Sequence, residues 1–247
     1  LWRSFTGKRR SEEESHRHAS AGPLIRFLSE RYGRVTLVHS PALADVRPFT
    51  WAGHSARVRY TYLLDISDAG NLWDMMEHRV RTVIRNAEET LSVGESPAAD
   101  RFALLYEHVY RDRGNEPPVP VDVVERMVGD ALAEGLGDLR VVRDTGGETV
   151  CAGVFVRDTR AVYAWVSGAL PSRSRAGAMS LLFMDTADRY RAMNGMLDMA
   201  GGNIPGIAFY TKGFGGALTP YYVTEGFGSA LVRALYSLRS TVRGAFS

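Results

Sequence analysis

A chain of 247 residues that is 45% hydrophobic and 23% charged has ample length for a core and an ordinary globular composition, which excludes collagenous and low-complexity classes. Its formal charge of +2 arises in residues 1–20, where Arg3, Lys8, Arg9, Arg10 and Arg17 outnumber Glu12, Glu13 and Glu14. The remainder is neutral and lacks the overall basicity of a dedicated nucleic-acid binder, and no apolar run approaches the roughly 18 residues of a membrane-spanning helix.

Residues 1–20 are polar and aperiodic and read as a disordered leader. No signal-peptide core follows the basic start. A short helix is expected near Leu24–Tyr32, a strand at Val35–His39, a Pro/Trp loop over Pro41–Gly53, and a strand over Ala56–Leu64 ending in Asp65. Leu72–Thr90 carries Trp73, Met76, Val80, Val83, Ile84 and Ala87 at helical spacing. Phe102, Leu105, Tyr106 and Val109 open a second long helix, and Val124, Met127, Val128, Ala131 and Leu132 a third, separated by the linker Pro117–Pro120.

The period then switches to two. Leu139–Arg143, Thr149–Arg157 and Ala161–Ser167 form an antiparallel meander with turns at Thr145-Gly146-Gly147 and Asp158-Thr159. A helix over Gly177–Arg191, a strand at Met196–Met199, a glycine-rich stretch, a strand at Tyr221–Thr224 and a final helix through Leu231, Ala234, Leu235 and Leu238 complete an α+β order.

The stretch from Asp198 to Gly216 draws attention because it holds Lys212, one of two lysines against 28 arginines. Such a lysine reads either as a compact ammonium needed for its own chemistry or as chance. Asp198, ending a strand beside glycines, reads as a base or amine-orienting carboxylate, or as a cap for the turn. Tyr163, Trp165 and Ser167 alternate along a strand and are expected on one face, as an acceptor groove or as packing.

Arg79, Arg81 and Arg85 give one helix a basic side fit for phosphate. The spacing of Glu77, Arg81, Arg85 and Glu89 equally suits a self-satisfied ladder of ion pairs. The six histidines (16, 18, 39, 54, 78 and 108) show no metal spacing, so no metal is expected. The single cysteine, Cys151, excludes an intrachain disulfide and reads as a buried strand residue in a reducing, cytoplasmic protein. P-loop and serine-hydrolase motifs are absent.

Arg81-Thr82-Val83-Ile84-Arg85-Asn86-Ala87 is similar to the R-x-x-I-R-K-A helix of the Fem (FemABX) family. Tyr163 to Gly168, Gly177-Ala178 with Leu181-Leu182, then Asp198, Gly201, Asn203 and Pro205–Ala208 follow that family's pattern, and Tyr210-Thr211-Lys212-Gly213-Phe214-Gly215 resembles its F-K-x-G-F-G ending. The resemblance covers about residues 35–225. It implies a GNAT-like acyltransferase fold in tandem lobes, a shortened first lobe over 21–99 and a second over 100–247. It further implies an aminoacyl-tRNA donor, an amine-bearing peptide, cell-wall or antibiotic-precursor acceptor, and no cofactor.

Carried onto this chain, Lys212 and Asp198 are the expected catalytic residues. Tyr163, Trp165, Ser167, Asn203, Tyr210, Thr211 and Phe214 are expected to line the substrate, and Arg81, Arg85 and Lys212 to meet the tRNA. The family's lysine position falls on Thr211, with Lys212 one place later, and Ser40 stands where cross-bridge enzymes often carry an acidic residue. Two alternatives stay open. An acyl-CoA-dependent transferase would need a pyrophosphate loop, where Ser174 and Met179 depart from the pattern. A non-catalytic GNAT-like binding protein is the other.

Overall fold

The structure is a computed structural model and describes residues 9–112, 114–169, 177–193, 195–229 and 232. The expected final helix and residues 174–176 of the expected pyrophosphate loop lie outside them. In chain order the elements are α1 (Arg10–Arg31), β1 (Arg34–Val38), α2 (Arg47–Trp51), β2 (Ser55–Asp65), α3 (Ala69–Met75), α4 (His78–Glu88), β3 (Leu91–Glu95), α5 (Ala99–Arg111) and α6 (Val121–Ala133). There follow β4 (Gly137–Asp144), β5 (Thr149–Arg157), β6 (Ala161–Ala169), α7 (Ala178–Tyr190), β7 (Met196–Asp198), α8 (Pro205–Thr211), a 3₁₀ turn (Lys212–Phe214) and β8 (Ala217–Phe227).

The α+β order expected from the sequence is present, with several differences. The helix expected over Leu72–Thr90 is broken into α3 and α4, the loop expected over Pro41–Gly53 contains α2, and β3 is a strand that the apolar pattern does not mark. Residues 10–20, read as a leader, form the first half of α1. The stretch ahead of the Gly213-Phe214-Gly215 sequence is helical (α8) because Pro205 sits in the first helical turn, where its missing N–H costs nothing.

The chain folds as two compact units, residues 1–59 with 220–247, and residues 60–219. The boundary expected at residue 99 falls inside the second. In the first unit β1 pairs antiparallel with β8, from Arg34↔Phe227 to Val38↔Val223. Ala21 and Ile25 of α1, Val46 and Phe49 form its small buried core.

In the second unit the strands lie in the order β2-β7-β6-β5-β4-β3. β3 to β6 are antiparallel, and β6 and β7 are parallel, bridged by the crossover helix α7. Each sheet face is covered by a helix pair. On one face α4 and α7 bury Val80, Ile84, Leu182 and Ala187 against Val142, Cys151, Val162 and Leu197. On the other, α5 and α6 bury Phe102, Tyr106, Val109 and Val128 against Leu139, Val141, Ala152 and Val154. The helical stripes read from the sequence are these buried faces, except that Met127 of α6 is exposed.

Local signals set the ends. Asp68 caps α3 by accepting from the N–H groups of Gly70 (2.9 Å) and Asn71 (3.2 Å). Asp144 closes the β4–β5 turn on the N–H groups of Gly146 and Glu148, and Asp158 closes β5–β6 on those of Arg160 and Ala161.

Candidate active site

Asp198 ends β7, with Tyr163 of β6 and Leu63 of β2 as its register partners. Its Oδ1 accepts from the Thr61 hydroxyl and, at 2.9 Å, from the Ala200 N–H. Among the described residues Oδ2 has no partner. Burial pushes the carboxyl's pKa upward, against the two hydrogen bonds that pull it down. The result is an oriented, half-buried carboxylate with one free oxygen and enhanced basicity.

The loop after β7 is shaped to hold it. Ala200 and Gly201 both take left-handed backbone, with φ of 55° and 68°. Gly202 passes so close to β2 that a Cβ there would stand 2.6 Å from the Tyr60 carbonyl oxygen. Asn203 then spends its whole amide on Tyr60: Oδ1 accepts from the backbone N–H at 3.0 Å and Nδ2 donates to the carbonyl at 2.8 Å. Met199 N–H already donates to Tyr62 O at 3.0 Å, so the amide supplies the next rung of the ladder. Asn203, expected to contact substrate, is instead a clamp between loop and strand.

The expected common face of Tyr163, Trp165 and Ser167 does not exist. The β5–β6 register shifts between Val154↔Val166 and Phe155↔Ala164, which leaves Trp165 as the extra residue of a bulge. Before it, Val162 and Ala164 point to the α4/α7 core. After it, Val166 joins the α5/α6 core. Tyr163 and Ser167 therefore lie on opposite faces, and Tyr163 shares the face of Asp198. The Tyr163 hydroxyl donates to Asp158 at 3.0 Å. Burial first, then that bond, push its pKa up to about 12, so it stays a neutral hydroxyl.

A second constellation surrounds Lys212, which starts the 3₁₀ turn. Its exposed ammonium lies 4.7 Å from the ring centre of Phe209, and the Arg79 guanidinium lies 4.6 Å from the same ring. Arg79 also pairs with Glu77 at 2.5 Å and donates to Phe209 O at 3.1 Å. Among the described residues Lys212 has no carboxylate partner, and no hydrogen bond or ion pair links it to Asp198.

The neighbouring glycines serve this turn. Gly213 O receives the Glu77 N–H at 2.9 Å. Gly215, at φ 82°, lies against Met75, whose carbonyl oxygen would be 2.7 Å from a Cβ. Between them Phe214 is fully buried, edge-on to Phe183 and Tyr210.

Three other expected substrate residues are structural here. Phe214 belongs to the core. Thr211 is buried, and its hydroxyl returns to Ile207 O at 2.9 Å. The Tyr210 hydroxyl lies 3.0 Å from Ser180 Oγ, and burial raises its pKa.

The arginine ladder is also corrected. α4 begins at His78, leaving Glu77 as its cap and partner of Arg79. Arg81 donates to the carbonyls of Trp73 (3.2 Å) and Asp74 (3.3 Å), and Arg85 lies 5.3 Å from the Trp73 ring centre. Arg81 thus braces the α3–α4 corner. Two exposed cation–ring sets remain, Arg79 and Lys212 on Phe209 and Arg85 on Trp73. Sequence reading missed Thr61, which alternation alone marks as a strand residue, and Phe209, whose exposure (59%) no pattern reveals.

Glu14 and His18, one turn apart on α1, meet Asp45 with all three potential ligand atoms within 4.8 Å of one another. The guanidinium of Arg47 already occupies this cluster, 2.5 Å from Glu14 and 2.8 Å from Asp45, and it holds the Asp45 carboxyl well below the usual range. The donor set is a salt-bridge network and fits an arginine rather than a metal ion.

No helix among the described residues is long and apolar enough to cross a membrane. A family model described as acetyltransferase (GNAT) domain matches residues 71–205, more than half of the chain. No curated protein matches the sequence. Among solved structures the fold is similar to FemX, with a TM-score of 0.69 at 11% identity over 93% of this chain and 79% of that one. It is also similar to the C-terminal domain of a putative lysylphosphatidylglycerol synthetase from Agrobacterium fabrum (TM-score 0.55, 14% identity, 85% and 72% covered). A third neighbour is L-PGS from Bacillus licheniformis (TM-score 0.53, 10% identity, 74% and 64% covered). The meander and crossover helix of residues 60–219 are thus elements of a known acyltransferase architecture, and the chain belongs to the acetyltransferase (GNAT) domain family, with a fold of the FemX kind.

Proposed function

We propose that the protein transfers an aminoacyl group from an aminoacyl-tRNA to a free amine of a peptide-like acceptor, with Asp198 as proton acceptor and Lys212 on the donor side. The observation that carries this reading is the free Oδ2 of Asp198, presented by a carboxylate whose other oxygen is pinned by Thr61 and Ala200. Aminolysis of an ester needs little else: the amine nitrogen attacks the ester carbonyl, and its proton passes to a carboxylate. The C–O bond then breaks, and the proton leaves with the ribose hydroxyl. Burial of Asp198 favours the protonated form that this relay passes through.

Tyr163, on the same face, is the proposed acceptor contact, and the bulged, partly exposed Trp165 extends that surface. An RNA end is matched by Lys212, Arg79 and Arg85 set on Phe209 and Trp73, cations interleaved with aromatic rings on an otherwise neutral body. Neighbours named FemX and lysylphosphatidylglycerol synthetase favour an aminoacyl over an acetyl group. A charged-tRNA donor makes the reaction cytoplasmic.

Fluorescence anisotropy with a labelled, charged tRNA tests the donor side. Lys212→Ala and Arg85→Ala are each expected to weaken binding and to lower the slope of log affinity against log salt by about one. Binding that is absent, or equal in wild type and both variants, would remove the RNA donor from the reading.

A further inference from the structure

The second unit holds a cavity of about 630 Å³ that neither Asp198 nor Lys212 lines. It lies between α5 and the β3–β4–β5 edge of the sheet, and the strand register explains why it is there. Gly94, Val141, Ala152 and Gly168 are successive cross-strand partners on the face that α5 covers. The row is poor in side-chain volume. At its inner end Val109 of α5 fills the space over Gly168, where a Cβ would meet the valine side chain at 2.9 Å. At its outer end no apolar side chain fills the space above Ala152, and only the Arg143 side chain reaches over Gly94. The floor there is Leu139, Val141 and Ala152, and the wall is Phe102 and Leu105 of α5.

The rim is charged in an unbalanced way. Arg143 follows Leu139 and Val141 on the same strand face, and its guanidinium lies over Gly94, with Nη1 3.0 Å from where a Cβ would stand. Arg101 lines the cavity from α5. Among the described residues neither guanidinium has a hydrogen-bond, ion-pair or ring partner, in a protein whose arginines are commonly paired. His108 also lines the cavity and stands 3.4 Å from Asp112. Glu148 is the single acidic lining residue. A pocket of this size, with an apolar floor and a few convergent polar groups, has the make-up of a small-molecule site. Two free planar guanidiniums select for a carboxylate or phosphate.

We propose that this cavity binds a small amphiphilic anion, its carboxylate or phosphate head held by Arg101 and Arg143 and its apolar body laid on Leu139, Val141 and Phe102. Calorimetric titration of the whole protein with decanoate, decyl phosphate and decanol tests it, with methyl NMR shifts to locate the site. Both anions are expected to bind at one saturable site, about tenfold or more tighter than decanol. Shifts are expected at Leu105, Leu139 and Val141. The order of the two anions then tells which head the rim is built for, and either order supports the site.

The double variant Arg101→Leu, Arg143→Leu is expected to lose that preference while still binding decanol. An unchanged melting temperature would show that its fold is intact. Equal binding of decanoate and decanol by the wild type would overturn the proposal. So would anion binding that survives the double variant, shifts mapping elsewhere, or no saturable binding by any of the three.

Discussion

Replacing Asp198 by Asn separates the cost of the site from its use. Asn keeps an Oδ1 that can accept from both Thr61 Oγ1 and the Ala200 N–H, so the local geometry persists. What disappears is a negative charge whose folded-state pKa is raised by burial. A carboxyl with a raised pKa destabilises the fold above that pKa, and the penalty fades as pH falls through it, because the folded state then binds the proton more tightly than the unfolded one. At pH 7 the variant is therefore expected to be more stable than wild type by about 1 kcal/mol, the scale of removing one poorly solvated polar charge. For a domain of this size that raises the melting temperature by roughly 2–4 °C.

Scanning calorimetry of both proteins between pH 4 and pH 8 reads the effect as a gap that closes on acidification. Transfer activity should fall at the same time, by about 100-fold or more for loss of a general base. A variant less stable than wild type at pH 7, or a gap that widens at low pH, would refute the argument that the protein bears a strained carboxylate at this point.

Gly202→Ala should cost about 1–3 kcal/mol, since its Cβ would meet the Tyr60 carbonyl at 2.6 Å. Gly206→Ala, in α8 with open space around it, should be neutral or stabilising by up to about 1 kcal/mol; equal urea midpoints for the two would contradict this. Asp185→Ala strips the buried Arg140 of the carboxylate whose Oδ2 accepts from both its Nε and Nη2, leaving Glu95 at 3.9 Å, and should cost about 3 kcal/mol. The pair Arg140→Met, Asp185→Leu should recover most of that loss in the same thermal melts. Cys151, with its thiol pushed up to about 12 by burial, should be inert to a disulfide reagent at pH 8 in the native protein and react fully in denaturant.

The period of the apolar residues made most of the second unit legible. Val80, Ile84 and Ala87, or Val124 and Val128, can bury a helix stripe in only one way. The meander was marked by the Thr145-Gly146-Gly147 and Asp158-Thr159 turns, which the structure closes through the carboxylates of Asp144 and Asp158. The carboxylate at the tip of β7 was also visible, as a strand end running into glycines. The polarity of the site was not. One extra residue at Trp165 reverses the alternation of β6, and a bulge leaves no trace in a pattern of period two.

Side-chain allegiance was equally hidden. Arg81 and Asn203 look like ligand-binding groups in sequence, yet their donors go to carbonyls of Trp73, Asp74 and Tyr60, fixed by contacts distant along the chain. The glycine-aromatic stretch at 213–215 was read as chemistry and is largely packing: Phe214 fills the core, and the glycines let Met75 and the α4 cap approach.

The most direct test of the whole account is donor identity. The protein is incubated with an amine-bearing peptide panel and two isotopically distinguished donors in one tube, aminoacyl-tRNA and acetyl-CoA, and the products are weighed by mass spectrometry. The account requires a peptide that gains an amino-acid residue, a yield abolished by RNase, and its loss in Asp198→Asn. An acetylated product that survives RNase, or no product from either donor, would contradict it.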